Sequence, residues 1–264
     1  MFPLLFEIPL FGGIKVYTYG VLYALGVVAG IWWTTREGRI EKIKTDFILD
    51  LSFYIIVGNL VGARILYILT DWRRYAENPL DVIKIWEGGL VFYGGFIGAV
   101  LTGLYYIRKH RQSFLRVADV FMPGLALGHA IGRLGCLAAG CCYGRPAAAG
   151  SWWTTTFPPN PFSLAPADVP LVPIQLLEAG TAFLIFLLLI FFRRRKKFDG
   201  EIFLLYLVLY SVSRAVLETF RGDSVRGFLI PGWLSTSQFI SIVLVIFAGI
   251  IYYALHKRSR RTLT

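Results

Sequence analysis

Seven stretches of this chain are long and apolar enough to cross a lipid bilayer, and no other feature restricts its fold as much. The hydrocarbon core of a membrane is roughly 30 Å thick, so a spanning helix needs about 20 mostly apolar residues. The stretches are about 17–35, 47–69, 90–107, 117–137, 174–192, 201–220 and 237–255. The third is short, and the fourth is interrupted by glycines, His129 and Arg133. In lipid each backbone N–H and C=O must find its partner within the protein, which favours helices. The expected fold is therefore an all-α integral membrane protein, a seven-transmembrane-helix bundle, with residues 1–264 forming a single polytopic domain. Composition agrees. The chain is 56% hydrophobic and only 16% charged, which excludes a disordered chain, a collagen and a disulfide scaffold.

A net charge of +11 could indicate nucleic acid, but the positions of the charges say otherwise. Seventeen of the 27 Lys and Arg residues follow spans one, three, five and seven, at 36–44, 108–116, 193–197 and 257–261. Seven lie on the alternate side: Lys15, Arg73, Arg74, Lys84, Arg145, Arg221 and Arg226. Basic loops stay in the cytoplasm. The C-terminus is thus expected inside and the N-terminus outside, an alternation that seven spans satisfy and six or eight would break. The cytoplasmic cations mark topology and touch anionic membrane lipids; no nucleic-acid partner is expected. Residues 1–16 are apolar but lack a basic start and carry Pro3 and Pro9, so they are read as an interfacial segment, not a cleaved signal peptide. The longest outer loop, 143–173, holds Trp152 and Trp153, residues suited to the membrane surface.

The three remaining cations, Arg64, Arg133 and Arg214, lie inside spans. Each costs at least ~2.5–3.5 kcal/mol there and needs a reason. At 1.5 Å per helical residue, they stand roughly 26, 24 and 20 Å above the cytoplasmic starts of their helices, with Glu218 about 6 Å beyond Arg214. Glu178, Tyr19 and Tyr93 fall near the outer ends of their spans. Polar groups from six helices therefore gather in the outer half of the membrane, while the inner half stays apolar. Arg64 could snorkel, and Arg214 could simply pair with Glu218 at i,i+4. Yet Tyr210, Arg214, Glu218 and Arg221 form one polar stripe, and the three buried cations outnumber the two carboxylates. An excess of guanidinium suits a phosphate. At that depth the phosphate belongs to a phospholipid head group.

Span four ends in a glycine-rich run from His129 to Arg145. Its glycines allow close helix approach, or a break through which backbone N–H groups reach a ligand. His129 and Arg133 share a face; a lone membrane His can equally be a hydrogen-bonded core residue. Cys136, Cys141 and Cys142 all fall here, and their C-x4-C-C spacing matches no zinc signature. Packing, or a disulfide on an oxidising side, are the readings available.

Taken together these residues resemble the prolipoprotein diacylglyceryl transferase family of the bacterial inner membrane. The likeness includes Tyr17-Thr-Tyr19-Gly20, Gly62-Ala-Arg64 and the run from Trp86 and Glu87 to Gly95. It continues through the signature glycines, Gly132, Gly135, Gly140 and Gly144, with Arg133. Pro173–Glu178, Tyr210–Asp223 and Ser237-Gln238 complete it. The chain departs from the family at four places. Members often carry His at Tyr93, Asn at Cys136, Glu at Cys141 and His at Val172.

The resemblance implies a multi-pass enzyme of the inner membrane with two substrates, phosphatidylglycerol and the signal peptide of a prolipoprotein. It would move the diacylglyceryl group of the lipid to the lipobox cysteine, forming a thioether and releasing glycerol 1-phosphate. Arg133 and Arg214 would bind the phosphate, with Gly132, Gly135 and Arg64 beside the head group and Tyr19 and Glu218 orienting it. A thiol of pKa about 8.5 must lose its proton to attack. With the family His absent, His129 is the expected base and Tyr93 the alternative. No metal or organic cofactor is implied. Other readings are a divergent paralogue with another thiol acceptor, an anion or head-group transporter, and a thiol-redox protein. A transporter would need polar groups through the full membrane depth, which this chain lacks.

Overall fold

The computed structural model of the protein describes residues 4–8, 14–84, 88–148, 150–223, 227–230 and 233–261. Trp86, Glu87 and Arg226, together with residues 1–3 and 9–13 of the N-terminal segment, lie outside the described residues. The seven apolar stretches all become helices of 18 residues or more: α1 (Thr18–Ile40), α2 (Thr45–Thr70), α4 (Phe92–Lys109), α5 (Phe114–Ala139), α6 (Ile174–Arg193), α7 (Glu201–Glu218) and α8 (Thr236–Arg261). A short α3 (Trp72–Glu77) and a 3-10 turn (Pro79–Ile83) fill the loop after α2. Four helices, α2, α5, α6 and α8, are long and apolar enough to cross a membrane by length and composition. Their surfaces are greasy: Ile246, Phe247 and Ile250 of α8 are 57%, 51% and 65% exposed. Apolar faces of this extent need lipid to cover them. This is a helical membrane protein.

Helices α1 and α8 run past the expected spans, to Ile40 and Arg261, because basic side chains can continue a helix into the headgroup layer while their stems stay with the apolar part. Two small hairpins were not legible from hydropathy. Strands β1 (Leu4–Ile8) and β2 (Ile14–Tyr17) pair antiparallel within the segment expected to be interfacial, and β3 (Phe228–Ile230) pairs with β4 (Leu234–Ser235) ahead of α8. The start of α8 is a reciprocal capping box. Ser235 Oγ accepts from the Gln238 N–H, and Gln238 Oε1 accepts from the Ser235 N–H, both at 3.1 Å.

By its internal contacts the chain divides into two units, residues 34–117 and residues 1–33 with 118–264. In the smaller unit α2 and α4 approach closely enough for their backbones to touch at glycines. Gly58 and Gly62 face Gly94 and Gly98, and a Cβ on Gly62 would strike the Gly94 carbonyl oxygen. Small residues four apart are what lets two membrane helices touch by backbone.

The larger unit repeats the device. A Cβ on Gly26 would lie 2.7 Å from the Gly128 carbonyl oxygen, and one on Gly30 2.8 Å from that of Gly124, so α1 lies against α5. A tight apolar core of Ala126, Ile185, Phe186, Leu189, Ile202 and Tyr206 ties α5, α6 and α7 together, with the Trp33 ring edge-on to Phe186 at 4.8 Å. Helix α7 borrows its N-cap from α5. Gly200, in a left-handed conformation at φ 97°, starts α7 without a side chain of its own to cap it. Asp119 supplies one instead. Its two oxygens accept from the Gly200 and Phe203 N–H groups at 2.7 and 2.8 Å, and Lys196 sits 3.3 Å away. The loop between α5 and α6 carries isolated bridges, Pro146 to Leu171 and Phe157 to Ala167, over a buried Phe157 and Leu171.

Substitution at the glycine contact should separate packing from propensity. Gly62→Ala is expected to lower the thermal transition in detergent, since overpacking costs about 1–3 kcal/mol. Gly249→Ala in α8, where a Cβ meets nothing within 4 Å, should leave the transition unchanged or raise it, because a helical glycine is about 1 kcal/mol worse than alanine. Circular dichroism on both variants reads the difference.

Candidate active site

In the larger unit, three guanidinium groups converge on one carboxylate. Arg133 of α5 places Nη1 2.8 Å from Glu178 Oε2. Arg214 of α7 and Arg221, just past the end of α7, place Nη1 3.6 and 3.5 Å from Glu178 Oε1. Glu178 itself is on the first turns of α6 and only 5% exposed. Arg214 adds a bridge to Glu218 one turn along α7, at 2.7 Å. Arg221 is held by both oxygens of Asp223, at 2.9 and 2.6 Å. The polar stripe expected on span six therefore exists, and it turns toward α5 and α6.

The charge count differs from the expectation. Arg64 was included in it, but Arg64 belongs to the smaller unit, while Arg221 brings Asp223 with it. Among the described residues of the larger unit, the cations Arg133, Arg214 and Arg221 meet the carboxylates Glu178, Glu218 and Asp223, so the cluster as described is balanced. Balance is what lets so many charges sit at low exposure.

Arg64 is used up by backbone. Its Nε donates to the Val82 carbonyl at 2.9 Å, Nη2 to that of Asp81 at 2.5 Å, and Nη1 to those of Gly88 and Gly89 at 2.8 and 3.3 Å. The Tyr75 ring lies 5.3 Å from the guanidinium carbon. Gly88 and Gly89 have φ of 89° and 78°, a conformation that side chains resist and that turns both carbonyls onto the arginine. Tyr93, also in the smaller unit, is 54% exposed at the start of α4.

His129 is tied directly to Arg133, whose Nε donates to His129 Nε2 at 3.0 Å. An arginine only donates, so this ring nitrogen is an acceptor and its lone pair is already taken. The other face of the imidazole meets the Tyr210 ring at 5.5 Å. Tyr19 packs against α5, 3.3 Å from where a Cβ on Gly135 would be. A Cβ on Gly132 would meet nothing within 4 Å, which leaves room beside Arg133. The structure thus brings His129, Arg133, Arg214 and Glu218 together, with Tyr19, Gly132 and Gly135 on the helix faces alongside.

The signature segment after α5 is threaded between two backbones. Arg145 N–H donates to the Phe220 carbonyl at 2.9 Å, and Gly222 N–H to that of Tyr143 at 3.0 Å. A Cβ on Gly144 would strike the Val172 carbonyl oxygen, and one on Gly222 would come 2.5 Å from the Gly144 carbonyl oxygen. Only glycine fits at either place. The buried Gln175 side chain anchors the segment by donating to the Cys141 carbonyl at 3.0 Å. Hydrogen bonds from the Cys136 and Cys141 thiols, then the charges of Arg221 and Arg133, hold the Cys142 thiol below the usual thiol range.

The family model described as prolipoprotein diacylglyceryl transferase matches residues 3–254. This chain belongs to that family. Among curated relatives, the phosphatidylglycerol–prolipoprotein diacylglyceryl transferase of Finegoldia magna is 37% identical, over 94% of each chain. A second such enzyme from Clostridium perfringens is 35% identical over 94% of each chain, and that of Clostridium tetani 34% over 96% of this chain and 97% of its own.

For this family member, residue-by-residue reading of the sequence gave Glu178 and Arg221 no site of their own, although they complete the cluster. Burial of an acid near the end of a span was the available signal for Glu178. Arg221 was marked as the last residue of the polar stripe on span six, and the turn after α7 that carries it is pinned to the Tyr143 carbonyl through the Gly222 N–H. If Glu178 is the shared anchor, Glu178→Gln leaves three guanidiniums without their common partner. The expected cost is about 3–5 kcal/mol, read as a lowered thermal transition in detergent. Trp152→Ala, at a residue 93% exposed, should leave the transition where it was.

Proposed function

We propose that this protein transfers the diacylglyceryl group of phosphatidylglycerol to the lipobox cysteine of prolipoproteins, the first step of bacterial lipoprotein maturation. The family membership and the names of the curated relatives support the reaction. The observation that carries the site is the convergence of Arg133 and Arg214 from two helices onto Glu178, each still partly open, with side chains 15% and 19% exposed. The whole chain acts as one membrane domain of the bacterial cytoplasmic membrane. All seven long helices span, with the N-terminus outside and the C-terminus in the cytoplasm, as the distribution of basic residues favours.

In the reaction the lipobox sulfur attacks the glycerol carbon that bears the phosphate. The C–O bond to phosphate breaks, its electron pair stays on oxygen, and glycerol 1-phosphate leaves. Negative charge on the phosphate grows as this happens. Arg133 and Arg214 meet that charge, pre-aimed by Glu178 and Glu218 so that little reorganisation is needed. Room for the head group lies beside Gly132, and Tyr19, seated on Gly135, flanks it. Arg64 keeps a structural role, holding the carbonyls of Asp81, Val82, Gly88 and Gly89.

His129 takes a positioning role in this reading. Its Nε2 is committed to Arg133, and a neutral imidazole that accepts there carries its proton on Nδ1, so no lone pair is left for the thiol proton. The thiol proton then goes to an acceptor other than His129 Nε2.

Purified protein with phosphatidylglycerol and a lipobox peptide should yield a peptide heavier by one diacylglyceryl group; a folded protein that gives none would sink the reading. Arg133→Ala and Arg214→Ala should each lower turnover at least about a hundredfold. Positioning and base roles for His129 separate cleanly. If it positions Arg133, His129→Gln, whose amide oxygen can accept the same bond, keeps most activity and the wild-type pH profile, while His129→Ala does not. If it is the base, both variants lose activity alike and the acidic limb of the profile disappears.

A further inference from the structure

The sequence spacing of Cys136, Cys141 and Cys142 matches no metal signature, but the fold gathers their sulfurs. All three Sγ atoms lie within 4.8 Å of one another. The backbone makes this happen. Helix α5 stops at Ala139, Gly140 turns at φ 65°, and the Cys141 N–H donates back to the Cys136 carbonyl at 3.2 Å. Cys142 then holds a φ of 54°, a left-handed conformation that a non-glycine residue rarely adopts. The turn is braced from two sides. The fully buried Gln175 side chain donates to the Cys141 carbonyl at 3.0 Å, and Ala165 N–H donates to the Gly140 carbonyl at 2.8 Å. None of the three cysteines is in a disulfide, and each is partly accessible.

A cation bonded to three thiolates at about 2.3 Å in one plane holds the sulfurs about 4 Å apart, which falls within the spacing found. Thiolates select soft, filled-shell ions. The surroundings suit the charge such a site would carry, because Arg133 and Arg221 are near enough to act on Cys142 electrostatically.

We propose that Cys136, Cys141 and Cys142 form a three-thiolate site for a thiophilic d10 cation, Zn(II) or Cu(I). Binding makes three sulfur–metal bonds and releases three thiol protons to solvent, with no change of oxidation state. Zn(II) keeps a fourth position for water, whereas Cu(I) is complete with three sulfurs. The site adjoins Arg133 of the transfer site, so its test reads metal binding and not turnover.

The experiment uses the full chain, reduced and freed of reductant without oxygen, in detergent. It is dialysed separately against Zn(II) and against Cu(I), and metal and protein are then quantified. The expected result is one ion per chain and at least tenfold slower alkylation of the three thiols by iodoacetamide, followed by mass spectrometry. The ion that gives both effects at the lower free concentration identifies the occupant. Cobalt(II) should add a thiolate-to-metal charge-transfer band. Each of Cys136→Ser, Cys141→Ser and Cys142→Ser should weaken binding at least tenfold, and protection in the wild type stands as the measure if a variant does not fold. The proposal is overturned if neither ion slows alkylation, if binding survives replacement of all three cysteines, or if the protein isolated without reductant holds two of them in a disulfide.

Discussion

The carboxylate of Glu178 is the point on which the larger unit is assembled. Three arginines from α5, α7 and the turn beyond α7 reach it. An ionised group taken out of water loses several kcal/mol of hydration, and only close opposite charge returns it. The cluster therefore cannot be taken apart one residue at a time. Without Glu178 the arginines repel, and without the arginines Glu178 is a buried charge with nothing to face. The same bonds that make the helix ends cohere also fix the guanidinium groups in direction. A cluster built this way holds its guanidinium groups in one arrangement.

Around that point the protein economises on side chains. Backbone contacts between glycines on α1 and α5, and on α2 and α4, replace the apolar interdigitation of a soluble core. In lipid there is no hydrophobic gain from covering a leucine with another helix, so close approach and dispersion do the work. The large apolar side chains are then free to point outward, as on α8. Thr102, opposite Gly58, sends its own hydroxyl to the Gly98 carbonyl at 2.7 Å and so stays satisfied within that contact.

Hydropathy made the seven long helices legible, with the largest differences at the C-terminal ends of α1 and α8, where basic residues extend the helix past the apolar stretch. It did not reveal the hairpins, whose strands are two to five residues long and paired only locally. Depth along a helix placed Arg133, Arg214 and Glu218 at one level and they do meet. Depth says nothing about azimuth or about loops, however. Arg64 has the right height, yet its bonds go to carbonyls 17 to 25 residues further along. Likewise, the relation between Arg133 and His129 was visible as i,i+4 spacing, but which atom faces which was not. The cysteines show the reverse case. Their spacing carried no message until Gly140 and Cys142 bent the chain.

The cap that Asp119 gives α7 has a consequence for how the chain is made. Two N–H groups at the start of α7, those of Gly200 and Phe203, find their acceptor on α5, some eighty residues earlier. Ribosomal synthesis delivers α5 first, so the acceptor exists before the helix that needs it. The bond therefore acts as a register mark, fixing the start of α7 against its older neighbour.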